Sequence, residues 1–180
     1  MLSESQNIEL LVAQCKNQNQ KAQTAIYKLY SNAMYNVAFR ILGNQNEAEN
    51  IMQDSFLKAF TKIETFNNSA TFGAWLKKIV INKSINELKK SKAYQTETLS
   101  DNYEKIELTD DELTFTNQKA AHVLKTIQSL KPNYKIILTL FFIEGYDLEE
   151  ITELLKISYE NCRTTMSRAK ESLRKKLQAV

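Results

Sequence analysis

The sequence predicts an all-α protein built from two small helical modules, and three observations carry that prediction. The 180 residues include only three glycines and one proline, too few turn residues for the many hairpins of an all-β fold. Apolar side chains recur at i, i+3, i+4 and i+7 along most of the chain, and that period lapses once, between Ser91 and Asn117. The lapse coincides with a reversal of charge. Residues 1–92 carry 12 basic and 7 acidic side chains, 93–121 carry 2 and 7, and 122–180 carry 10 and 7. The formal charge of +3 therefore averages a basic, an acidic and a basic segment.

Residues 8–17 place Ile8, Leu11, Val12 and Cys15 on one helical face, and residues 21–42 continue the period through Ala22, Ile26, Leu29, Ala33, Val37 and Ile41. Gly43 supplies a C-terminal stop. Asn46 with Glu49 three residues on resembles a capping box for a helix over 47–63, whose inward stripe is Met52, Phe56, Ala59 and Ile63. Its outer face carries Asn50, Gln53, Asp54 and Thr61 around a single exposed leucine, Leu57, a patch suited to a protein contact. A fourth helix, from about Thr71 to Lys90, is apolar around most of its circumference, from Phe72 and Trp75 to Leu88, so most of it must be covered. Its narrow polar strip holds Lys78, Asn82, Asn86 and Lys89, and residues 77–92 hold six lysines against Glu87. Amides beside cations on one strip offer hydrogen bonds to bases and charge to phosphates; a lysine-rich solvent strip would have the same composition.

The stretch from Ser91 to Asn117 reads as a tether with at most a short helix near its end. From Lys119 the period returns in Val123, Leu124 and Ile127, and Pro132 is placed to start a helix ending near Gly145. Asp147 with Glu150 is a second capping signature, opening a short helix from Leu148 to Leu155. Lys156 and Ile157 form the turn, and Ser158 caps a last helix running to about Leu177. A short helix, a tight turn and a longer basic helix have the spacing of a helix-turn-helix. On the second helix Cys162, Met166, Ala169, Leu173 and Leu177 share one side, opposite Arg163, Thr164, Ser167, Arg168, Glu171, Arg174 and Lys175. Residues 163–176 carry six basic side chains and one acid, a density suited to phosphates, although a solvated basic face on a structural helix would look alike.

Several classes are excluded on composition. The longest apolar stretch, Ile136 to Ile143, falls far short of the ~20 residues that cross a bilayer, so the chain is not expected to insert in a membrane. Its first residues lack the basic start and apolar run of a secretory signal. Cys15 and Cys162 are too few and too separated for a disulfide framework or a zinc cluster, which fits the cytoplasm. His122, the only histidine, has no metal-ligand constellation, and three glycines leave no phosphate-binding loop. Neither enzyme activity, a cofactor nor a metal is expected.

Three segments converge on one family. Ala48 to Phe60 (AENIMQDSFLKAF), Phe66 to Lys90 (FNNSATFGAWLKKIVINKSINELKK) and Tyr146 to Leu177 (YDLEEITELLKISYENCRTTMSRAKESLRKKL) resemble the extracytoplasmic-function (ECF) subfamily of bacterial RNA polymerase sigma factors, in order and over nearly the whole chain. The resemblance implies three parts: a sigma region 2 helical bundle over 1–92, an acidic linker over 93–118, and a sigma region 4 helix-turn-helix over 119–180. It also implies an initiation factor, monomeric when free, that binds core RNA polymerase and directs it to promoters. Asn50, Gln53, Asp54 and Leu57 would meet the clamp helices of the largest polymerase subunit. Asn67, Asn68, Ser69 and Ala70 would help form a pocket for a flipped base of the minus-ten element, with Lys78, Asn82, Asn86 and Lys89 on DNA beside it. Arg163, Thr164, Ser167, Arg168, Lys170 and Arg174 would read or grip the minus-thirty-five element. Many members are held inactive by an anti-sigma factor, often membrane-bound.

The sequence departs from the family pattern at Asn50, where an acid is usual, at Lys156, where glycine often ends the first helix of the helix-turn-helix, and at Asn161 and Cys162, where Thr and Val are frequent. The acids of the linker, Glu97 to Glu112, either mimic RNA in the polymerase exit path or simply keep a spacer extended. Two rivals make different predictions. A polymerase-independent helix-turn-helix regulator would bind promoters alone, and a helical adaptor would show no salt-dependent DNA affinity.

Overall fold

The computed structural model describes the backbone of residues 4–94 and 115–178 and the side chains of 7–90 and 119–178. The acidic stretch from Glu97 to Glu112 lies outside the described residues. Among the described residues there is no strand. The chain divides into two compact units, Met1–Leu99 and Ser100–Val180.

The first unit contains α1 (Glu4–Lys16), α2 (Gln20–Leu42), α3 (Gln45–Thr61), a 3₁₀ turn (Ile63–Thr65) and α4 (Phe72–Tyr94). Helices α2, α3 and α4 pack against one another, with α1 laid along α2. Ile26, Ile41, Leu76, Ile81 and Ile85 are almost wholly buried at their centre. Burying each such side chain stabilises the fold by about 1.5–3 kcal/mol. Local sequence sets the joints. Asn19 caps α2 by accepting from the Lys21 and Ala22 N–H groups at 3.0 and 3.2 Å. Gly43 ends it at φ 78°, in the left-handed region where glycine alone escapes a Cβ penalty.

Two details differ from the sequence expectation. The cap of α3 is Asn44, whose Oδ1 accepts from the Glu47 N–H at 3.0 Å, and not Asn46. Two Asn residues two apart offer equivalent caps on paper; Gly43 turns the chain so that Asn44 is the first to reach a free N–H. On α2, Leu29 is 50% exposed and Ala33 is also exposed, while Met34 and Ala38 are buried in their place. A helix of 23 residues drifts out of phase with a simple three-four repeat, so the buried stripe moves round the axis along its length.

The second unit contains α5 (Phe115–Gln128), α6 (Pro132–Leu138), a π-helical segment (Thr139–Ile143), α7 (Leu148–Leu155) and α8 (Tyr159–Gln178). Its core is Ile127, Ile137, Leu138, Leu140, Ile151 and Cys162, with α8 packed chiefly on α6. Helix α5 starts four residues earlier than the periodicity indicated, at Phe115. The helix expected from Pro132 to Gly145 is interrupted: after Leu138 the ladder widens, and the Glu144 N–H donates to Thr139 O at 3.0 Å. An apolar run such as Ile136 to Ile143, interrupted only by Thr139, has too little phase for the added residue per turn to leave a trace in the hydrophobic pattern. The widening buries Thr139 with its hydroxyl unpartnered and leaves Phe142 54% exposed.

Helix α7 matches its expectation at both ends. Asp147 Oδ1 accepts from the Glu150 N–H at 2.8 Å and Glu150 Oε2 from the Asp147 N–H at 3.0 Å, a reciprocal capping box. Lys156 closes the helix at φ 56°, ψ 51°. Left-handed geometry at a residue with a Cβ costs about 1 kcal/mol relative to glycine. Ser158 Oγ then accepts from the Asn161 N–H at 3.2 Å and starts α8.

Candidate nucleic-acid interface

Three exposed polar surfaces are built on this frame, two in the first unit and one in the second. The first is the loop between the 3₁₀ turn and α4. Phe66 is buried against Phe72 and Trp75, with ring centroids at 5.6 and 5.4 Å, and Lys16 Nζ donates to Phe66 O at 3.1 Å. Those contacts pin the start of the loop, and Thr71 pins its end by accepting the Ala74 N–H at 3.3 Å. Between these anchors Asn67, Asn68, Ser69 and Ala70 are all exposed. Asn67 Oδ1 accepts from the Ser69 N–H at 3.2 Å, and Asn68 sits at φ 58°, a conformation that asparagine tolerates better than most residues.

Behind the loop lies a cleft of about 810 Å³, lined among others by Tyr30, Met34, Asn68, Ala70, Phe72 and Lys77. Of the four loop residues expected to form a base pocket, Asn68 and Ala70 line this cleft, whereas Asn67 and Ser69 do not and are joined by the hydrogen bond within the loop. The aromatic and charged lining from Tyr30 and Lys77 was not foreseen. Gly73 also lines the cleft: a Cβ there would meet Tyr30 Cε1 at 2.9 Å, so the Tyr30 ring would have to shift to admit one.

The α4 strip continues from the loop. Lys78, Asn86 and Lys89 are exposed and Asn82 is half-buried. Asn82 Nδ2 donates to Lys78 O at 2.9 Å, which occupies one of its two amide protons. Trp75 is half-buried on the Phe66–Phe72 cluster rather than free.

The second surface is the outer face of α3. Asn50, Gln53, Asp54 and Thr61 are exposed around Leu57, which is 67% exposed, the largest value for a large apolar side chain among the described residues. Gln53 Nε2 donates to Glu49 Oε1 at 3.2 Å. Asp54 is not isolated, because Lys83 of α4 pairs with its Oδ2 at 3.1 Å. Sequence separation of 29 residues hid that pair.

The third surface is α8. Cys162, Met166 and Ala169 are buried, and Arg163, Thr164, Ser167, Arg168, Lys170 and Arg174 are all exposed on the remainder of the helix. Thr164 Oγ1 donates to Glu160 O at 2.8 Å, leaving an acceptor for an incoming donor. Lys170 lies 4.9 and 5.4 Å from the ring centroids of Phe141 and Phe142, so its ammonium covers the π segment as well as facing solvent. Farther along, Lys176 Nζ donates to Ser129 O and Oγ at 2.8 and 3.0 Å, and Lys175 pairs with Glu171 at 2.7 Å. That contact holds the Glu171 carboxyl below its ordinary range. Lys175 and Lys176 are thus engaged within the protein, while Arg163, Arg168 and Arg174 remain exposed.

Comparison with known proteins decides what this arrangement belongs to. Residues 26–94 match the family profile for sigma-70 region 2, and residues 122–173 match that for sigma-70 region 4. The ECF RNA polymerase sigma factor SigW of Bacillus subtilis is 30% identical over 187 residues, spanning 94% of this chain and 96% of its own. The chain belongs to the ECF RNA polymerase sigma factors. SigV of the same organism is 31% identical over 147 residues, covering 78% of this chain and 81% of its own. The ECF sigma-E factor of Haemophilus influenzae is 24% identical across 99% and 100% of the two chains. Two solved structures share the fold. They are CnrH in complex with the cytosolic domain of CnrY, at TM-score 0.56 and 21% identity over 94% of this chain and 96% of its own, and the sigma factor RpoE in complex with the anti-sigma factor NepR from Bartonella quintana, at 0.61 and 18% over 86% and 96%. The ECF sigma factor is a transcription initiation factor: it binds core RNA polymerase and directs promoter-specific initiation by recognising and melting promoter DNA.

Proposed function

We propose the following division of labour. Residues 1–92 form the region that binds polymerase and opens the minus-ten element, residues 93–118 link, and residues 119–180 recognise the minus-thirty-five element. Asn50, Gln53, Asp54 and Leu57 meet the clamp helices of the largest polymerase subunit. Asn67, Asn68, Ser69 and Ala70 with the cleft behind them take a base extruded from the non-template strand, while Lys78, Asn82, Asn86 and Lys89 hold the adjoining DNA. Extrusion costs a few kcal/mol, which the aromatic and amide lining offsets for the matching base. Arg163, Thr164, Ser167 and Arg168 reach base edges, and Lys170 and Arg174 steady the backbone. The reaction itself belongs to the polymerase, and the chain works in the cytoplasm without a cofactor.

The observation that carries this reading is the contrasting chemistry of the two surfaces within the first unit. The α3 ring is centred on an exposed leucine and lacks a cluster of cations, whereas the loop and α4 strip combine an open cleft with amides and lysines. One face suits protein and the other suits nucleic acid. An anti-sigma factor controls the chain by covering these surfaces; the complexes of RpoE with NepR and of CnrH with CnrY support that part.

Permanganate footprinting of the holoenzyme on a promoter fragment tests the division. Asn68→Ala should reduce reactive thymines at the minus-ten element and keep the upstream footprint. Arg168→Ala should weaken the upstream footprint first. Loss of both signals in both variants, with core binding intact, would contradict the assignment.

A further inference from the structure

The Lys83–Asp54 pair joins the two faces just assigned. Asp54 belongs to the α3 ring, Lys83 to α4 one residue from Asn82, and their charged atoms lie 3.1 Å apart. The two ends are unequally open: the Asp54 side chain is 60% exposed and the Lys83 side chain 24%. An approaching partner therefore reaches the carboxylate before the ammonium.

The surroundings give the pair an electrostatic meaning. It borders an open hollow of about 430 Å³ whose rim also holds Asn86, Glu87 and Lys90. Lys90 pairs with Glu87 at 3.5 Å. Two cations thus face two carboxylates, and the hollow beside Asn86 is locally neutral although residues 77–92 carry a surplus of lysine. A phosphate arriving at Asn86 finds both Lys83 and Lys90 already engaged by carboxylates while both pairs are closed. Exposed pairs of this kind are held weakly, because solvent screens them and two long side chains lose freedom in forming them. Exchanging one partner for another costs little.

We propose that Lys83 is an additional DNA-contacting residue held in reserve by Asp54. In the free sigma factor Asp54 neutralises Lys83. When polymerase engages the Asp54 carboxylate, the Lys83 ammonium is released to a promoter phosphate beside Asn86. The inference rests on the assignment of the α3 face to polymerase and the α4 strip to DNA. It supplies a structural reason for a sigma factor to grip DNA more strongly within the holoenzyme than alone.

The salt dependence of DNA affinity reads the exchange directly, because each phosphate neutralised by a lysine changes the log–log slope by about 0.7 on single strands and 0.9 on duplex. The full chain and the reconstituted holoenzyme are each titrated with a pre-melted promoter fragment recovered by run-off transcription. Lys83→Gln should flatten the holoenzyme slope by about that amount and leave the slope of the free chain unchanged. Asp54→Asn should steepen the slope of the free chain by the same amount, and adding Lys83→Gln should abolish the gain. Unchanged slopes in every case, with only a lower melting temperature, would reduce the pair to a staple between α3 and α4 and overturn the proposal. Leu57→Ala separates the two levels of the argument. If it leaves core affinity intact, the face assignment itself fails; if it weakens core binding while Lys83→Gln leaves the holoenzyme slope alone, only the exchange fails.

Discussion

Replacing Leu57 with alanine isolates the polymerase-binding face from the fold. The side chain is 67% exposed in the free chain and is ringed by Asn50, Gln53, Asp54 and Thr61, so its removal opens no internal cavity. Alanine is at least as good a helix former as leucine, and the melting temperature should stay level or rise slightly. Full burial of a leucine is worth about 1.5–3 kcal/mol, so covering the two-thirds that solvent now reaches contributes about 1–2 kcal/mol. At about 1.4 kcal/mol per tenfold, core affinity should fall roughly 5- to 30-fold. Competition of unlabelled variants against fluorescent wild-type chain for core polymerase measures it. Leu29→Ala is the control: that leucine is 50% exposed on α2, outside the ring, and its loss should leave affinity within about twofold. An affinity for Leu57→Ala within about twofold of wild type would refute the reasoning.

Other outcomes follow from single sites. Arg168→Ala should lower affinity for the upstream element by about 1–3 kcal/mol, if its guanidinium reads a base edge, while core binding in the same competition assay stays unchanged. Lys156→Gly should raise the stability of the second unit by up to about 1 kcal/mol, less whatever the freer unfolded chain returns, and calorimetry would show it as an upward shift of that unit's transition. Gly73→Ala places a Cβ 2.9 Å from the Tyr30 ring and should destabilise the first unit by about 1–3 kcal/mol in chemical unfolding, with weaker promoter opening as the cleft is reshaped. Burial pushes the Cys15 and Cys162 thiols up, Glu149 adding to the effect at Cys162, so both should resist iodoacetamide in the folded chain. Mass spectrometry of the alkylated peptides during denaturant titration would then report each unit's unfolding separately.

What the sequence disclosed and what it hid follow one physical rule. Features written in neighbouring residues were legible: the Asp147–Glu150 box, the Gly43 stop, the turn at Lys156 and the buried stripe of Cys162, Met166 and Ala169 on α8. The exposed ring around Leu57 was legible too, because a single helix fixes it. Features that depend on contacts between distant segments were not. The pairing of Asp54 with Lys83, the approach of Gly73 to Tyr30 and the seat of Lys170 over Phe141 and Phe142 all arise from tertiary packing. The π segment escaped for another reason, since widening a helix changes its ladder without changing the hydrophobicity of Ile136 to Ile143. The misplacement of the α3 cap from Asn44 to Asn46 shows the limit of a motif that occurs twice in three residues.

Run-off transcription with purified core polymerase on genomic fragments tests the central claim most directly. The account predicts discrete transcripts only when this chain is added, arising from promoters that share two separated elements, with Arg168→Ala and Asn68→Ala reducing output from them. Specific binding of the isolated chain to such fragments, with no transcript in the presence of core polymerase, would contradict it.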